Sequence, residues 1–156
     1  MTNFQQAITD WILNELSTPV PLLNNLPKCP YAKKAALDGK LLFYEHCDDI
    51  DKLVNDIILV WNDESTEVAI INLGNISSDM LENHAIRLNE RYPDFLFLDD
   101  HTEVVEKIED VDFSNGDYNI LLCQKREKVE IARKILKRKG YYKNWPKEYY
   151  DSVTSL

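Results

Sequence analysis

The stretch Val68-Ala69-Ile70-Ile71-Asn72-Leu73-Gly74-Asn75-Ile76-Ser77-Ser78, followed further on by Phe95-Leu96-Phe97-Leu98, reads as one strand–helix–strand unit. Val68–Ile71 is a β-branched run bounded by Gly74, the pattern of a strand. Ser77 or Ser78 is placed to cap a helix that carries Leu81, Ala85, Leu88 and Tyr92 on one face. Phe95–Leu98, after Pro93, is the next strand. Upstream, Leu41-Leu42-Phe43-Tyr44 is a short apolar run that predicts a strand. Ile50, Leu53, Val54, Ile57, Ile58 and Trp61 then recur at helical spacing behind Asp48 or Asp49 as cap. Downstream, a turn at Asn115-Gly116 leads to a fourth strand over Tyr118–Cys123. A basic helix over 126–139 follows, stopped by Gly140.

The flanks follow the same logic. Phe4, Ile8, Trp11, Ile12 and Leu16 predict an amphipathic helix over 3–16, and Pro19, Pro21 and Pro27 predict an irregular loop over 17–27. Residues 99–117 are acidic and poorly patterned, with a short helix expected around Val104–Ile108. Residues 140–156, with Trp145-Pro146 and Tyr149-Tyr150, read as an aromatic tail. Strands alternating with helices predict a single layered α/β domain over 1–156. Its sheet should hold about four strands, mixed or parallel, flanked by helices.

A chain of 156 residues, 44% hydrophobic and 29% charged, has the composition of a soluble domain. No apolar stretch approaches the ~18 residues of a membrane span. Residues 1–20 carry no Lys or Arg and do not read as a signal peptide. Cys29, Cys47 and Cys123 are too widely spaced for a disulfide framework or a CxxC zinc pattern. Free thiols and no leader predict a cytoplasmic location. The net charge of −9 is unevenly spread: residues 1–124 carry 8 basic and 23 acidic side chains, residues 125–143 carry 9 and 2.

Three sets of residues carry candidate chemistry. Cys29-Pro30 lies just before a short helical run, where the helix dipole and free N–H groups favour thiolate. Lys28, Lys33 and Lys34 add positive charge. Cys29 is therefore the candidate nucleophile and Cys47 its candidate resolving partner. The second set lies at strand ends: His46-Cys47-Asp48-Asp49, Asn72, Asp99-Asp100-His101 and Cys123-Gln124-Lys125-Arg126. In a parallel sheet these would converge on one edge, where ligands bind. His46, Asp99, Asp100 and His101, with Cys47 and Glu103 nearby, are the candidate ligands of a divalent transition metal.

The third set is the basic segment Lys125–Lys143, with Val129, Ala132 and Leu136 expected to face inward. Lys134, Lys137 and Arg138, with Tyr141, Tyr142 and Trp145 as stacking planes, are the candidate partner-binding residues. The acidity of the rest of the chain disfavours nucleic acid and favours a protein partner. With four glycines and no glycine-rich phosphate loop or G-x-S-x-G elbow, nucleotide-loop and hydrolase chemistry are not indicated.

Cys29-Pro30-Tyr31-Ala32 with Lys34-Ala35 resembles the glutaredoxin active-site turn, Ala32 standing where that family has its resolving cysteine. The resemblance implies Cys29 as the attacking thiol. No hydrophobic strand precedes the turn, and the Thr-Val-Pro loop of that family does not occur here. Trp11-Ile12, Leu26-Pro27-Lys28-Cys29-Pro30-Tyr31-Ala32-Lys33 and Gly39-Lys40 resemble an uncharacterised bacterial family. Its N-terminal block runs from tryptophan to asparagine-leucine-cysteine-proline-phenylalanine-alanine, and Tyr92-Pro93-Asp94-Phe95 resembles a later block. That likeness implies a shared scaffold around the Cys-Pro turn and no particular activity. Gln124-Lys125-Arg126 through Gly140-Tyr141-Tyr142 is similar to uncharacterised reading frames of aquatic phages. Two functional expectations follow: an accessory protein with a thiol- or metal-dependent site around Cys29-Pro30, or a non-enzymatic protein-binding module, in the phage reading a host-directed one.

Overall fold

The computed structural model describes residues 1–45 and 48–155. Helix α1 (Asn3–Trp11) opens on a capping box: the Gln5 N–H donates to the Thr2 hydroxyl at 3.1 Å, and the Thr2 N–H donates to Gln5 Oε1 at 3.2 Å. It runs on into a π turn over Ile12–Leu16. The proline-rich segment is less irregular than its prolines suggest. Strands β1 (Pro19–Val20) and β2 (Leu26–Pro27) pair antiparallel around a 3-10 turn at Pro21–Leu23. Asn24 and Asn25 close that turn at φ 57° and 62°. Asparagine tolerates the left-handed region better than most residues, which is how two-residue strands form here.

Helix α2 (Ala32–Leu37) leads to β3 (Leu41–Glu45), and α3 (Ile50–Leu59) connects it to β4 (Val68–Asn72). Asp49 caps α3 by accepting the Lys52 N–H at 3.0 Å, and Ser77 caps α4 (Ser78–Arg91) by accepting that of Met80 at 3.2 Å. After β5 (Phe95–Asp100) comes a hairpin of β6 (Lys107–Ile108) and β7 (Val111–Asp112), where a short helix was expected. Glu109 turns that hairpin at φ 53°. Strand β8 (Ile120–Lys125) passes directly into α5 (Arg126–Arg138). The expected aromatic tail is in part a helix, α6 (Lys147–Thr154), entered through Pro146.

The main sheet has four strands in the order β3-β4-β8-β5 and is mixed. β3 and β4 are parallel through α3, whereas β8 is antiparallel to both its neighbours. Both faces are covered, so the strands read as continuous apolar runs. Ile71, Phe97, Leu121 and Cys123 pack under Val54, Ile57, Leu81 and Leu88 of α3 and α4. Ile70 and Ile120 pack on the other face against Phe4, Ile8, Ile12 and Leu16. Burying each such aliphatic side chain contributes about 1.5–3 kcal/mol.

A third cluster, Leu23, Leu136 and Tyr141, joins the proline-rich segment to the C-terminal one. Three hydrogen bonds clasp them: Asn24 Nδ2 to the Lys139 carbonyl at 2.8 Å, Asn144 Nδ2 to the Leu22 carbonyl at 3.1 Å, and the Tyr141 hydroxyl to the Lys28 carbonyl. Gly140 sits inside the clasp at φ +81°, where a Cβ would lie 2.7 Å from Asn24 Nδ2. No helix among the described residues is long and apolar enough to cross a membrane.

Candidate functional site

Strands β3, β4 and β5 end on one edge of the sheet, as expected. The antiparallel β8 carries Cys123-Gln124-Lys125-Arg126 to the opposite edge, so the fourth set of strand-end residues does not join the others. His46 and Cys47 lie outside the described residues. The other candidate metal ligands are engaged elsewhere or apart. His101 is buried; its Nδ1 accepts the Glu103 N–H at 3.1 Å and its Nε2 donates to the Ile76 carbonyl at 2.6 Å. That fixes the Nε2–H tautomer and leaves no lone pair for a metal. Buried Asp100 accepts the Asn115 backbone N–H at 3.0 Å and its side-chain amide at 2.5 Å, both through Oδ2. Burial, foremost, pushes its carboxyl up from the ordinary range. Asp99 is exposed. Among the described residues no group of three or more His, Cys, Asp or Glu is placed to hold a metal ion. His101 and Asp100 instead stitch β5 to the loops beside it.

Cys29 sits three residues before α2, with its backbone N–H donated to the Leu16 carbonyl at 3.0 Å. The Ala32 and Tyr31 N–H groups act on the sulfur in the expected direction. Burial outweighs them and pushes the thiol above its ordinary value. The helix start therefore does not deliver a low-pKa thiolate, because the same turn that presents the N–H groups also desolvates the sulfur. Cys123 is deeper still, pushed up to about 12 by burial.

The C-terminal edge is where predicted residues come together. Lys137 from the end of α5, Gly140, Tyr142, Lys143 and Trp145 from the following turn, and Lys147 and Tyr150 from α6 line a pocket of about 340 Å³. Its rings are held edge to face, Tyr142 to Trp145 at 4.8 Å and Tyr142 to Tyr150 at 5.1 Å. The Lys137 ammonium stands 5.8 Å above the Tyr150 ring. Lys147 pairs with Asp151 at 2.8 Å, one turn along α6.

Of the six candidate partner residues, Lys137, Tyr142 and Trp145 meet in this pocket, while Lys134 and Arg138 stand exposed on α5 outside its lining. Tyr141 is not a stacking plane: it is buried, and its hydroxyl is spent on the Lys28 carbonyl. Lys147 and Tyr150 were not among the candidates. Pro146, at the N-cap of α6, signals that a helix starts there, while the return of that helix to Lys137 is set by packing.

A second cavity, of about 400 Å³, lies between α5 and the Cys29-Pro30 turn, with Leu98 and Gln124 of the sheet among its lining residues. Tyr142 and Trp145 line it as well and so stand between the two cavities. Val129 and Ala132, expected to face inward, are only half-buried here, and Leu136 is the one fully buried residue of α5. The Trp145 indole N–H is buried without an acceptor among the described residues. No protein-family model, curated protein or solved structure matches this chain.

Proposed function

We propose that this chain is a binding module that docks an acidic segment of a protein partner on its basic-aromatic C-terminal edge. One observation carries the reading: Lys137, Lys143 and Lys147 share a pocket with Tyr142, Trp145 and Tyr150. Carboxylates make charge-assisted hydrogen bonds to ammonium groups, and flat rings accept the apolar side chains between them. The rings are already packed against one another, so little side-chain freedom is lost on binding. The charge distribution supports the same orientation. With 23 acidic against 8 basic side chains over 1–124, the body turns an acidic partner away and leaves the C-terminal edge to receive it. The reading rests on that edge rather than on Cys29, whose thiol burial holds protonated.

The test is fluorescence anisotropy with a labelled peptide of alternating Glu and Phe, and a Lys–Phe peptide of equal length as control. The acidic peptide should bind saturably, more weakly as salt rises, and the Lys control should not. Replacing Lys137→Glu, Lys143→Glu and Lys147→Glu together should weaken binding about tenfold or more, roughly 1.4 kcal/mol, with an unchanged melting temperature. Affinity retained in that variant removes the pocket as the docking site.

A further inference from the structure

We propose that the groove between α5 and the Cys29-Pro30 turn binds a small carboxylate with an apolar body, a ligand separate from the acidic segment assigned to the outer pocket. The groove's volume, about 400 Å³, lies within the ~300–1,000 Å³ of small-molecule sites. It is too small for a docked helix: one turn, about 10 Å wide and 5.4 Å long, already fills about 400 Å³.

Its lining is apolar on the helix side. Val129, Ala132 and Ile135 of α5 are half-buried and turned to the groove, where a helix of 13 residues would ordinarily bury such a stripe in a core. Leu98 and Tyr31 extend that surface from the sheet and the turn.

Charge decides the class of the occupant. Glu67 is the one carboxylate among the described lining residues, and it is answered by Lys128 at 3.4 Å and Lys40 at 4.0 Å. Lys28 is answered in part by the charge of Asp112, and Lys125 and Arg133 remain as cations of the lining with no ion pair to a carboxylate among the described residues. Lys125 also stands 4.8 Å over the Phe95 ring, an interaction that leaves its charge intact. A mostly apolar groove in which Lys125 and Arg133 stand without a carboxylate partner among the described residues is complementary to an anion joined to an apolar group. The Gln124 amide, the Trp145 indole N–H and the Cys29 thiol add no negative charge to the lining, since burial keeps the thiol protonated.

Dodecanoate is the probe, titrated below its micelle concentration and followed by tryptophan fluorescence, with dodecanol as the uncharged comparison. Dodecanoate should bind saturably at one site, about tenfold or more tighter than dodecanol. At saturation it should slow alkylation of Cys29 by N-ethylmaleimide, read by peptide mass spectrometry. Arg133→Glu should weaken dodecanoate about tenfold, and Ala132→Phe, which fills the groove with an apolar ring, should abolish binding in a protein that still melts cooperatively. The triple lysine variant of the outer pocket should bind dodecanoate normally, which separates this site from that one. No saturable binding, equal affinity for dodecanol, or binding unaltered in both groove variants overturns the proposal, and leaves the acidic-segment reading standing if the Glu–Phe peptide still binds.

Discussion

Cys29 shows how a single residue's surroundings override its address. Its place before α2 supplies two backbone N–H groups, an arrangement that lowers thiol pKa values. The turn that supplies them is packed against the end of the first helical segment, through the Leu16 carbonyl, and the desolvation is the larger effect. Alkylation of Cys29 in the native protein should therefore follow a pH midpoint above the usual ~8.5 of a free thiol. A midpoint below that value, read by mass spectrometry of the intact chain, would return Cys29 to the role of nucleophile. His101 carries the same lesson. As a residue type it is a metal ligand, but with an N–H on one ring nitrogen and a carbonyl on the other it is a strut. Asp100, beside it, spends one oxygen on Asn115 and buries the other without a partner among the described residues, and burial pushes its carboxyl up.

At the level of elements, the edge strand β5 is closed by side chains from two helices. The Asn89 amide of α4 donates to the Phe97 carbonyl and accepts the Phe97 N–H, each at 2.9 Å. Arg126, at the start of α5, donates to the Phe95 carbonyl at 3.1 Å and the Pro93 carbonyl at 2.9 Å. These contacts occupy backbone groups that another chain's strand would otherwise pair with. Asn89→Ala should cost about 1–3 kcal/mol by leaving the Phe97 groups unmet, and should make the protein self-associate as concentration rises. Urea unfolding and sedimentation velocity check the two parts. Stability within 0.5 kcal/mol of the parent, roughly the scatter of a neutral surface change, would mean water replaces the amide fully. Helix α5 contributes differently. Its strongly two-sided sequence predicts a helix buried along one stripe, yet only Leu136 is buried, because the stripe faces a groove instead of a core.

For the whole molecule, several buried acids have their proton affinity raised together. Cys123 and Tyr149 are each pushed to about 12, mainly by burial, and Cys29 and Tyr141 also move upward. Each holds its proton longer in the folded state than in the unfolded one, so the native protein binds more protons across the window. Their contribution to stability is therefore full below about pH 8.5 and is lost as pH rises toward about 12. In that window Cys123 alone should contribute about 1.4 kcal/mol lost per pH unit, and Cys123→Ala should flatten the slope of urea stability against pH by that amount. An unchanged slope would mean the thiol is not desolvated in the folded state.

The sequence by itself determined the elements: apolar runs at period two and period 3.6, the caps Asp49 and Ser77, and the Gly140 stop all act over a few residues and show in order along the chain. It also located the charge asymmetry that marks the C-terminal edge. The two-residue strands around Pro21–Leu23 and the hairpin at Glu109 lay beyond it, because they depend on left-handed backbone rather than on side-chain periodicity. The tertiary structure alone decided that β8 runs against its neighbours, which splits the strand-end residues between two edges. It alone decided that α6 folds back to bring Lys147 and Tyr150 to Lys137, and that Cys29 is desolvated. Strand direction, helix return and burial arise from packing between segments far apart in the chain, and no local pattern of residues encodes them.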